Sequence, residues 1–455
     1  MIVETKNEFI QFFSVYKEKN VILIPVLSDN KRNVLNNELC LIFVKFLNSP
    51  EYFILPFNHS EAINLDLNIL NYLKSSSNKK YVLDKKQFLN ISEFNNLIDI
   101  NVLYYLNNNK IIEIEQKYSN GELFVLNQNE DEDYIYRSVP ILKLEERFID
   151  LSEKLETIIN ENKDLDSDRA FQFLNDTTIT NLHKIEQNGI SADKAKLLEF
   201  FPDYDIHYDK NGLVYTEYNI YTSTGRPSNR FGNLNFAALK KENGEREFLI
   251  SRFNSDGFIL YFDYEAYHLN LAANVIDYTF PSDLSTHEYL GRQYFNKPQL
   301  TLEEYNKSKG VSFEILYGGI DDSVAKAIPF FAKAKKFIDE LWSQYCKDKY
   351  ILTKISGKKI YCENLDTMNS NKLFNYYLQN LETERNILVI DKLNKLLENY
   401  NTKLIMYLYD GFLFDYHKSD GKELFLKIKE VMEENRKFKT KQYGGKNFGN
   451  LQKIE

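Results

Sequence analysis

Cysteine is scarce in this sequence. Three cysteines, Cys40, Cys346 and Cys362, stand among 455 residues, and they form no C-x-x-C pair. Structural zinc sites and disulfide frameworks depend on closely spaced or numerous cysteines. The sequence therefore predicts neither kind of site, and the sparing use of cysteine fits a reducing compartment, for which we expect the cytoplasm.

Long apolar runs and an excess of positive charge are also absent. No apolar run approaches the roughly 20 residues needed to span a bilayer, and Met1–Lys6 lacks the basic region and apolar core of a secretory signal. We therefore expect no membrane partner. The net charge of −9 argues against a protein that coats nucleic acid. Basic clusters at 333–336, 347–359 and 436–446 are typical of a solvated surface, and together they would also suit a local grip on a phosphate backbone.

Hydrophobic patterning predicts an α/β part, a helical hairpin and a larger α+β part, enough for two or three domains. Residues 1–135 contain strand-like runs and a largely helical stretch at Phe88–Leu106. The strand-like runs are Val21–Val26, Leu39–Phe46 and Tyr52–Pro56. Two helices are predicted next, over Tyr136–Asn160 and about Arg169–Gln187. The apolar face of the first is predicted to contain Leu142, Leu144, Phe148, Leu151 and Leu155. Further helical patterns fill 283–347 and 365–400.

Two carboxylates end apolar, β-rich runs. Asp263 closes the run Phe258–Tyr264, and Asp410 lies in the predicted hairpin Leu404–Tyr416. Each has an ordinary explanation, because Asp often caps a following helix and Asp-Gly is a common hairpin turn. Two carboxylates on separate strands are also what a pair of Mg²⁺ ions requires. Both explanations stay open on these stretches alone.

A third stretch combines a cation with two aromatic rings. Lys309, Phe313 and Tyr317 follow one another at intervals of four residues, so they line one face of a predicted helix. Aromatics at this spacing are ordinarily core residues. A lysine on the same stripe instead suits a surface that meets a triphosphate and a base or sugar. His287 and Arg292, upstream, would add to such a phosphate grip, although His287 alone is typical of an ordinary surface histidine.

Four motifs in one order resemble those of family A DNA polymerases, the family of bacterial DNA polymerase I and many phage replicases. They are Thr224-Gly-Arg-Pro-Ser-Asn229, Asp263-Tyr264, Lys309-x3-Phe313-x3-Tyr317-Gly318 and Tyr409-Asp410, and they extend over about 205–420. The resemblance implies a right-hand fold with palm, fingers and thumb. A phage-type protein is expected, in which case the cytoplasm is that of a host.

The resemblance also implies roles for individual residues. Asp263 and Asp410 would bind two catalytic Mg²⁺ ions, with the Tyr264 carbonyl as a further ligand. Lys309 would contact the incoming triphosphate and protonate the leaving pyrophosphate. The nucleotide would meet Phe313, Tyr317, His287 and His268. The DNA near the primer terminus would meet Arg226, Asn375 and Gln379.

The implied domains follow the chain in order. They are a degenerate, ribonuclease H-like exonuclease domain (1–135), a helical hairpin or reduced thumb (136–200), the first part of the palm (201–282), the fingers (283–347), and the second part of the palm with a C-terminal tail (348–455). An active exonuclease needs closely spaced carboxylates on its first strand. Here that strand has none, Asp29 follows its end, and Asp84 and Asp99 do not complete a set.

The sequence departs from the family pattern at several positions. His268 stands where the family has a Glu beneath the sugar, with Ala266 and Asn270 beside it, so we expect weaker discrimination against ribonucleotides. Tyr305 replaces a phosphate-binding Arg. Gly411 replaces the second hairpin carboxylate, and Asp415 is predicted to be a plain exposed strand residue.

These observations predict a DNA-directed DNA polymerase that extends a primer 3′-OH with dNTPs and two Mg²⁺ ions, without proofreading. Its expected partners are primer-template DNA, dNTPs and a processivity factor, helicase or primase, and a monomer is expected. The alternatives are a single-subunit RNA polymerase or lesion-bypass polymerase on the same fold, and an inactive nucleic-acid-binding relic.

Overall fold

The computed structural model describes residues 1–28, 38–110, 112, 136–203, 206, 208–229, 234–241, 243–361 and 368–454. An N-terminal and a central sheet, each of five strands, organise this part of the chain. The strands are β1 (Val21–Leu27), β2 (Leu39–Phe46), β3 (Tyr52–Pro56), β4 (Lys80–Val82), β5 (Leu97–Asp99), β6 (Ile190–Ser191), β7 (Leu213–Val214), β8 (Tyr218–Asn219), β9 (Ser228–Asn229), β10 (Gly257–Tyr264), β11 (Tyr350–Leu352), β12 (Lys359–Tyr361), β13 (Lys403–Tyr407), β14 (Gly411–His417), β15 (Thr440–Gly445) and β16 (Gln452–Lys453).

Helices cover both sheets and fill the segment between the strands of the central one. They are α1 (Lys6–Tyr16), α2 (Leu70–Ser75), α3 (Lys85–Ile91), α4 (Ile100–Asn108), α5 (Ile141–Asn162), α6 (Arg169–Gln172), α7 (Ile179–Asn188), α8 (Lys194–Phe200), α9 (Tyr267–Val275), α10 (Thr286–Phe295), α11 (Leu302–Gly318), α12 (Asp322–Ala327), α13 (Pro329–Asp348), α14 (Ser370–Leu397) and α15 (Gly421–Glu433). None of these described helices is both long and apolar enough to cross a membrane.

The N-terminal sheet has the strand order β3-β2-β1-β4-β5. β1, β2 and β3 are antiparallel neighbours, whereas β4 and β5 run parallel to β1. The predicted strands are therefore confirmed. The prediction of one largely helical stretch over Phe88–Leu106 was wrong, because Leu97–Asp99 pairs with β4 as a strand between α3 and α4. A three-residue strand is too short for its periodicity to differ from that of a buried helix. Asp29 lies outside the described residues.

The first predicted helix exists as α5 and packs on the N-terminal sheet. The rings of Phe148 and Phe43 stack at 4.4 Å, and the ammonium of Lys45 on β2 lies 2.7 Å from the carboxylate of Glu156. The placement of Leu142 on the apolar face was wrong, since this side chain is 67% exposed. Leu142 lies one residue away from the stripe that reaches the sheet, and the other four predicted leucine and phenylalanine side chains are buried.

The central sheet has the order β13-β14-β10-β15-β16, and all its strands are antiparallel. β10 lies in its middle, and the predicted hairpin is confirmed as β13 and β14. Alternate side chains of β10 enter different cores: Leu260 and Phe262 pack on one face, and Ile259 packs on the other. The antiparallel pairing of β10 with β14 places the C-terminal end of β10 next to the β13–β14 turn. α9 and α11 each pack against α14.

The 28-residue helix α14 is buried on almost all sides. A buried helix must pair its polar side chains, because an unpaired buried polar group costs about 1–3 kcal/mol. A polar run in its middle, Glu382-Thr-Glu-Arg-Asn386, is buried completely or nearly so. Four of these five side chains have polar partners that the apolar pattern of the sequence does not reveal, and the Thr383 hydroxyl has none among the described residues.

Candidate active site

The two strand-end carboxylates of the sequence lie side by side. In the β10–β14 register Asp263 pairs with Gly411, the residue after Asp410, and the Tyr264 amide donates a 2.8 Å hydrogen bond to the Asp410 carbonyl. Gly411 is required here, since a Cβ at this position would lie 2.3 Å from the Tyr261 hydroxyl. The Asp-Gly pair is thus a turn that also brings Asp410 next to Asp263.

Asp263 does not cap a helix. The residue before α9 is Ala266, with a left-handed φ of 48°, and no side chain caps this helix. The capping explanation that the sequence left open is therefore wrong, because the chain makes a tight turn over Glu265 and Ala266 before the helix begins. Asp263 lies near the C-terminal end of β10, where the Tyr261 hydroxyl donates to its carboxylate at 3.3 Å.

The pKa values of both carboxylates are raised. Burial, and then the negative charge of Asp410, raise the pKa of Asp263 to about 7. The pKa of Asp410 is raised by the dense protein around it and by the charge of Glu382, although the residue is exposed at the surface of the cleft. No other described residue donates a hydrogen bond to the Asp410 carboxylate. A pair of crowded carboxylates with few donors is typical of a cation site.

The residues present fit magnesium. The described part of the chain contains no group of three or more His, Cys, Asp or Glu side chains that would enclose a metal. Mg²⁺, however, is usually held by one or two carboxylates together with water and substrate phosphates. Hard oxygen donors and raised pKa values at Asp263 and Asp410 suit such an ion, whose charge would favour the ionised carboxylates.

The cation–aromatic stripe lies on the outer face of α11, as one of the two sequence interpretations predicted. Phe313 is 37% exposed, its ring is parallel to that of Tyr317 with 6.1 Å between centroids, and Lys309 reaches outward to Asn306 at 3.3 Å. The Lys309 ammonium also lies 4.7 Å from the Tyr305 ring. This surface presents one charge and two flat rings to the cleft.

His287 belongs to the same surface and is not an ordinary surface histidine. It is 5% exposed, its ring meets Phe313 at 6.0 Å, and its Nδ1 has no partner among the described residues. Burial and the charge of Lys309 lower its pKa to about 4. The charges of Glu265 and Lys441 act on the pKa of both His287 and Asp263. The stripe and the carboxylates therefore border one cleft.

Arg226 enters the site from the opposite side. Its guanidinium lies 5.1 Å from the Tyr409 ring, and its Nε donates to Glu382 at 2.6 Å. The preceding Gly225 has a φ of 74°, and a Cβ there would lie 2.2 Å from the Asn380 side chain. Only glycine permits this contact, which brings the loop against α14.

Glu382 is the residue that sequence reasoning missed. Its side chain is fully buried and lies between Arg226 and His268, with 3.1 Å from its Oε1 to the histidine Nε2. The other ring nitrogen of His268 hydrogen-bonds the Tyr317 hydroxyl. Burial alone would raise the pKa of Glu382, but the nearby His268 and Arg226 outweigh it and lower the pKa. The only sequence signal was the polar run inside an apolar helix.

Some predicted site residues have structural partners of their own. Gln379 donates to Asn375 at 2.7 Å on one face of α14. The Tyr264 side chain is buried and donates to the Met432 carbonyl at 2.9 Å, and the role of its backbone carbonyl stays a prediction. Arg292 pairs with Glu288 on its own helix at 2.6 Å, and its contact with phosphate also stays a prediction.

The prediction that Asp415 is an exposed strand residue was wrong. It is fully buried and pairs with Arg252 at 2.7 Å, while Ser251 donates to its other oxygen at 2.6 Å. Arg252 in turn donates to the carbonyls of Asn188 and Gly189 at the end of α7, each at 2.8 Å. Asp415 therefore ties the hairpin to α7 and is not a second carboxylate of the site.

The two N-terminal carboxylates, Asp84 and Asp99, accept hydrogen bonds from backbone amides. The carboxylate of Asp84 accepts from the Lys86 amide at 3.0 Å and caps α3. Asp99 caps α4 through the Val102 amide and accepts from the Lys85 amide at 2.8 Å. Both carboxylates thus serve as helix caps.

Comparisons with known proteins bear on the fold. No family model matches the chain. Among solved structures, the POL domain of Pol1 from M. smegmatis, in complex with DNA primer-template and dNTP, is similar with a TM-score of 0.71. The match covers 99% of this chain and 100% of that one, at 12% sequence identity. The chain has the fold of a DNA polymerase domain. At this low sequence identity the match shows the fold alone, so an argument for activity must come from the residues of the site.

Proposed function

We propose that the protein is a template-directed DNA polymerase of family A type, which extends a primer 3′-OH with dNTPs. The observation that carries the proposal is the crowded pair Asp263–Asp410 opposite a lysine–aromatic stripe, within the fold of a polymerase domain. Phosphoryl transfer asks a protein mainly for positioning and for charge neutralisation. These side chains supply both.

The mechanism assigns one task to each group. Asp263 and Asp410, with the Tyr264 carbonyl, would hold two Mg²⁺ ions, which lower the pKa of an attacking hydroxyl and stabilise the leaving phosphate. Lys309 neutralises the incoming triphosphate and gives a proton to the departing pyrophosphate. Phe313 and Tyr317 form the flat wall beside the nucleotide.

Two further groups bind substrate in the proposal. His287 has a buried nitrogen without a described partner and faces the lysine, so an anionic phosphate oxygen beside it would favour its protonated form. Arg226, Asn375 and Gln379 meet the DNA near the primer terminus. Primer-template DNA and dNTPs are therefore the proposed substrates, and a processivity factor, helicase or primase would be an accessory partner.

The central sheet with 201–282 and 348–455 corresponds to a palm in this proposal, 283–347 to fingers and 136–200 to a reduced thumb. Residues 1–135 form an exonuclease-like domain, of ribonuclease H type, without proofreading activity. The helix-capping roles of Asp84 and Asp99 support this last assignment, because each carboxylate already accepts backbone hydrogen bonds.

The test is primer extension with Mg²⁺ on four templates that differ only in the first unpaired base. The proposed function predicts incorporation of the complementary dNTP on each template and no removal of a mismatched primer end. Synthesis from an unprimed promoter template would instead support an RNA polymerase. Absence of incorporation from a folded protein that binds DNA would support an inactive relic.

A further inference from the structure

Two elements of the site that are far apart in sequence meet at Glu382. Arg226, from the loop before the central sheet, donates to its Oε2 at 2.6 Å. His268, from α9, lies 3.1 Å from its Oε1. The carboxylate has no exposed surface. Its Oε2 accepts from Arg226, and its Oε1 lies near His268 without a hydrogen bond from any described residue.

His268 extends this contact to α11. Its Nδ1 hydrogen-bonds the Tyr317 hydroxyl, and its ring lies nearly perpendicular to the Tyr317 ring. Arg226 Nη2 donates to His268 Nε2 at 3.0 Å, so Nε2 is the acceptor and Nδ1 carries the hydrogen that is donated to the Tyr317 hydroxyl. The Nε of the same Arg226 donates to Glu382. The result is a continuous hydrogen-bonded chain from the stripe on α11 to the carboxylate on α14.

Burial makes this chain sensitive to its central charge. A buried carboxylate and its hydrogen-bonded cation depend on each other, because either one alone would be an uncompensated buried charge. Glu382 holds Arg226, Arg226 donates to His268, and His268 in turn fixes the Tyr317 hydroxyl. Removing the charge would therefore release Arg226 and Tyr317 together, although neither contacts the other directly.

We infer that Glu382 is a positioning residue for the incoming nucleotide, which acts through Arg226 and His268 on Tyr317, and through Arg226 alone on the primer side. This inference rests on the proposed polymerase function. Glu382 contacts no reacting atom in it. Its role is to hold Tyr317, beside the nucleotide, and Arg226, at the primer, in fixed positions relative to Asp263 and Asp410.

The same helix offers a matched control. Glu384 is also a buried carboxylate, but it accepts hydrogen bonds from Thr353 and from the backbone of Ile355 and Ser356, in a turn away from the cleft. Glu382→Gln and Glu384→Gln each replace one buried carboxylate by an amide of the same size, two residues apart. A merely structural role would make the two variants behave alike.

Single-nucleotide incorporation under steady-state conditions separates the two roles. Glu382→Gln is expected to raise the KM for dNTP about tenfold, with kcat within about threefold of wild type, because positioning is lost and the metal-binding groups remain. Glu384→Gln is expected to leave KM unchanged. A wild-type KM in Glu382→Gln, or an equal rise in both variants, would overturn the inference.

A second variant covers the case in which Glu382→Gln does not fold. Tyr317→Phe removes only the hydroxyl of a half-buried ring, so the same rise in KM is expected from it, and an unchanged KM would contradict the inference.

A double-mutant cycle in urea unfolding reports on the network without any activity. Tyr317→Phe and Glu382→Gln together should shift the midpoint by less than the sum of the single shifts. Additive shifts would show that the chain of hydrogen bonds does not exist. If the wild type incorporates no nucleotide but the shifts are not additive, the proposed function fails while the network stands.

Discussion

Carboxylates in the two sheets are in opposite situations. In the N-terminal sheet, Asp99 accepts backbone hydrogen bonds from Lys85 and Val102 and a third, at 3.4 Å, from the Tyr221 hydroxyl. In the central sheet, Asp263 receives a single hydrogen bond from the described residues, donated by a tyrosine, and lies beside a second negative charge. The first arrangement stabilises the fold, and the second has an electrostatic cost that a bound cation would remove. Partners, rather than burial, distinguish a structural carboxylate from a metal-binding one.

The largest expected effect is on nucleotide incorporation. Asp263→Asn or Asp410→Asn should slow primer extension about a thousandfold or more, which corresponds to roughly 4 kcal/mol of transition-state stabilisation. The amide keeps the shape of the side chain but not the charge that holds Mg²⁺. Asp84→Asn is the control and should change the single-turnover rate less than about threefold. A near wild-type rate in Asp410→Asn would contradict the assignment of Asp410 as a metal-binding carboxylate.

Removal of the lysine on the α11 stripe should have the next largest effect. Lys309→Ala is expected to lower kcat about a hundredfold, because one charge near the developing negative charge is lost. Lys307 lies two residues earlier and is exposed on another face of the same helix. Lys307→Ala should leave kcat unchanged. Equal losses in both variants would mean that only the overall positive charge of the helix matters.

The free energy of unfolding should be more sensitive to substitution of a carboxylate in the N-terminal sheet than in the central sheet. Asp99→Ala leaves two backbone amides and the Tyr221 hydroxyl without their acceptor, so it should lower the free energy of unfolding by about 1–3 kcal/mol. Asp263→Ala relieves a repulsion and should not lower it. Urea unfolding without Mg²⁺ measures both. A larger destabilisation by Asp263→Ala than by Asp99→Ala would contradict the difference between the two sheets.

Two buried histidines, His183 and His287, should make stability depend on pH, with a smaller effect than the carboxylates. Burial lowers the pKa of His183 to about 4, where its Nε2 contacts Asn90 at 2.6 Å, and the pKa of His287 is lowered to a similar value. Below pH 6.5 the unfolded chain takes up protons that the folded protein does not. Stability is therefore full above pH 6.5 and is lost as pH falls towards 4, by at most about 1.4 kcal/mol per pH unit for each histidine.

Only the histidine of the cleft should respond to substrate. Each histidine's share of the stability lost at low pH is the part that its substitution by Asn abolishes. Pyrophosphate is expected to reduce the share of His287 and to leave the share of His183 unchanged. Urea midpoints between pH 4.5 and 7 report on both histidines. An equal response of the two histidines to pyrophosphate would contradict a phosphate contact at His287.

Much of the fold was predictable because local pattern and tertiary role agree there. The strands β1, β2 and β3, the β13–β14 hairpin and the helices from 283 to 397 follow from periodicity and turn residues. The exceptions have particular causes. β5 is too short for a pattern, and Asp415 occupies an alternating position that usually faces solvent but here meets Arg252.

The site was predictable in its motifs and not in its connections. Asp263, Asp410 and the lysine–aromatic stripe carry recognisable spacing. Glu382 has none, since its importance comes from tertiary contacts with residues 156 and 114 positions away in the sequence. Sequence showed that His268 is unusual, and the structure shows that a carboxylate from another helix now lies beside it.

Binding of Mn²⁺ in the presence of dNTP, followed by electron paramagnetic resonance, tests the contrast between the two sheets most directly. Mn²⁺ accepts the same oxygen ligands as Mg²⁺, and the measurement needs no catalysis. The wild type and Asp84→Asn/Asp99→Asn, each verified as folded by circular dichroism, should show the same protein-bound Mn²⁺, and Asp263→Asn/Asp410→Asn should show none. Retained binding in the central variant, or its loss in the folded N-terminal variant, would contradict the account.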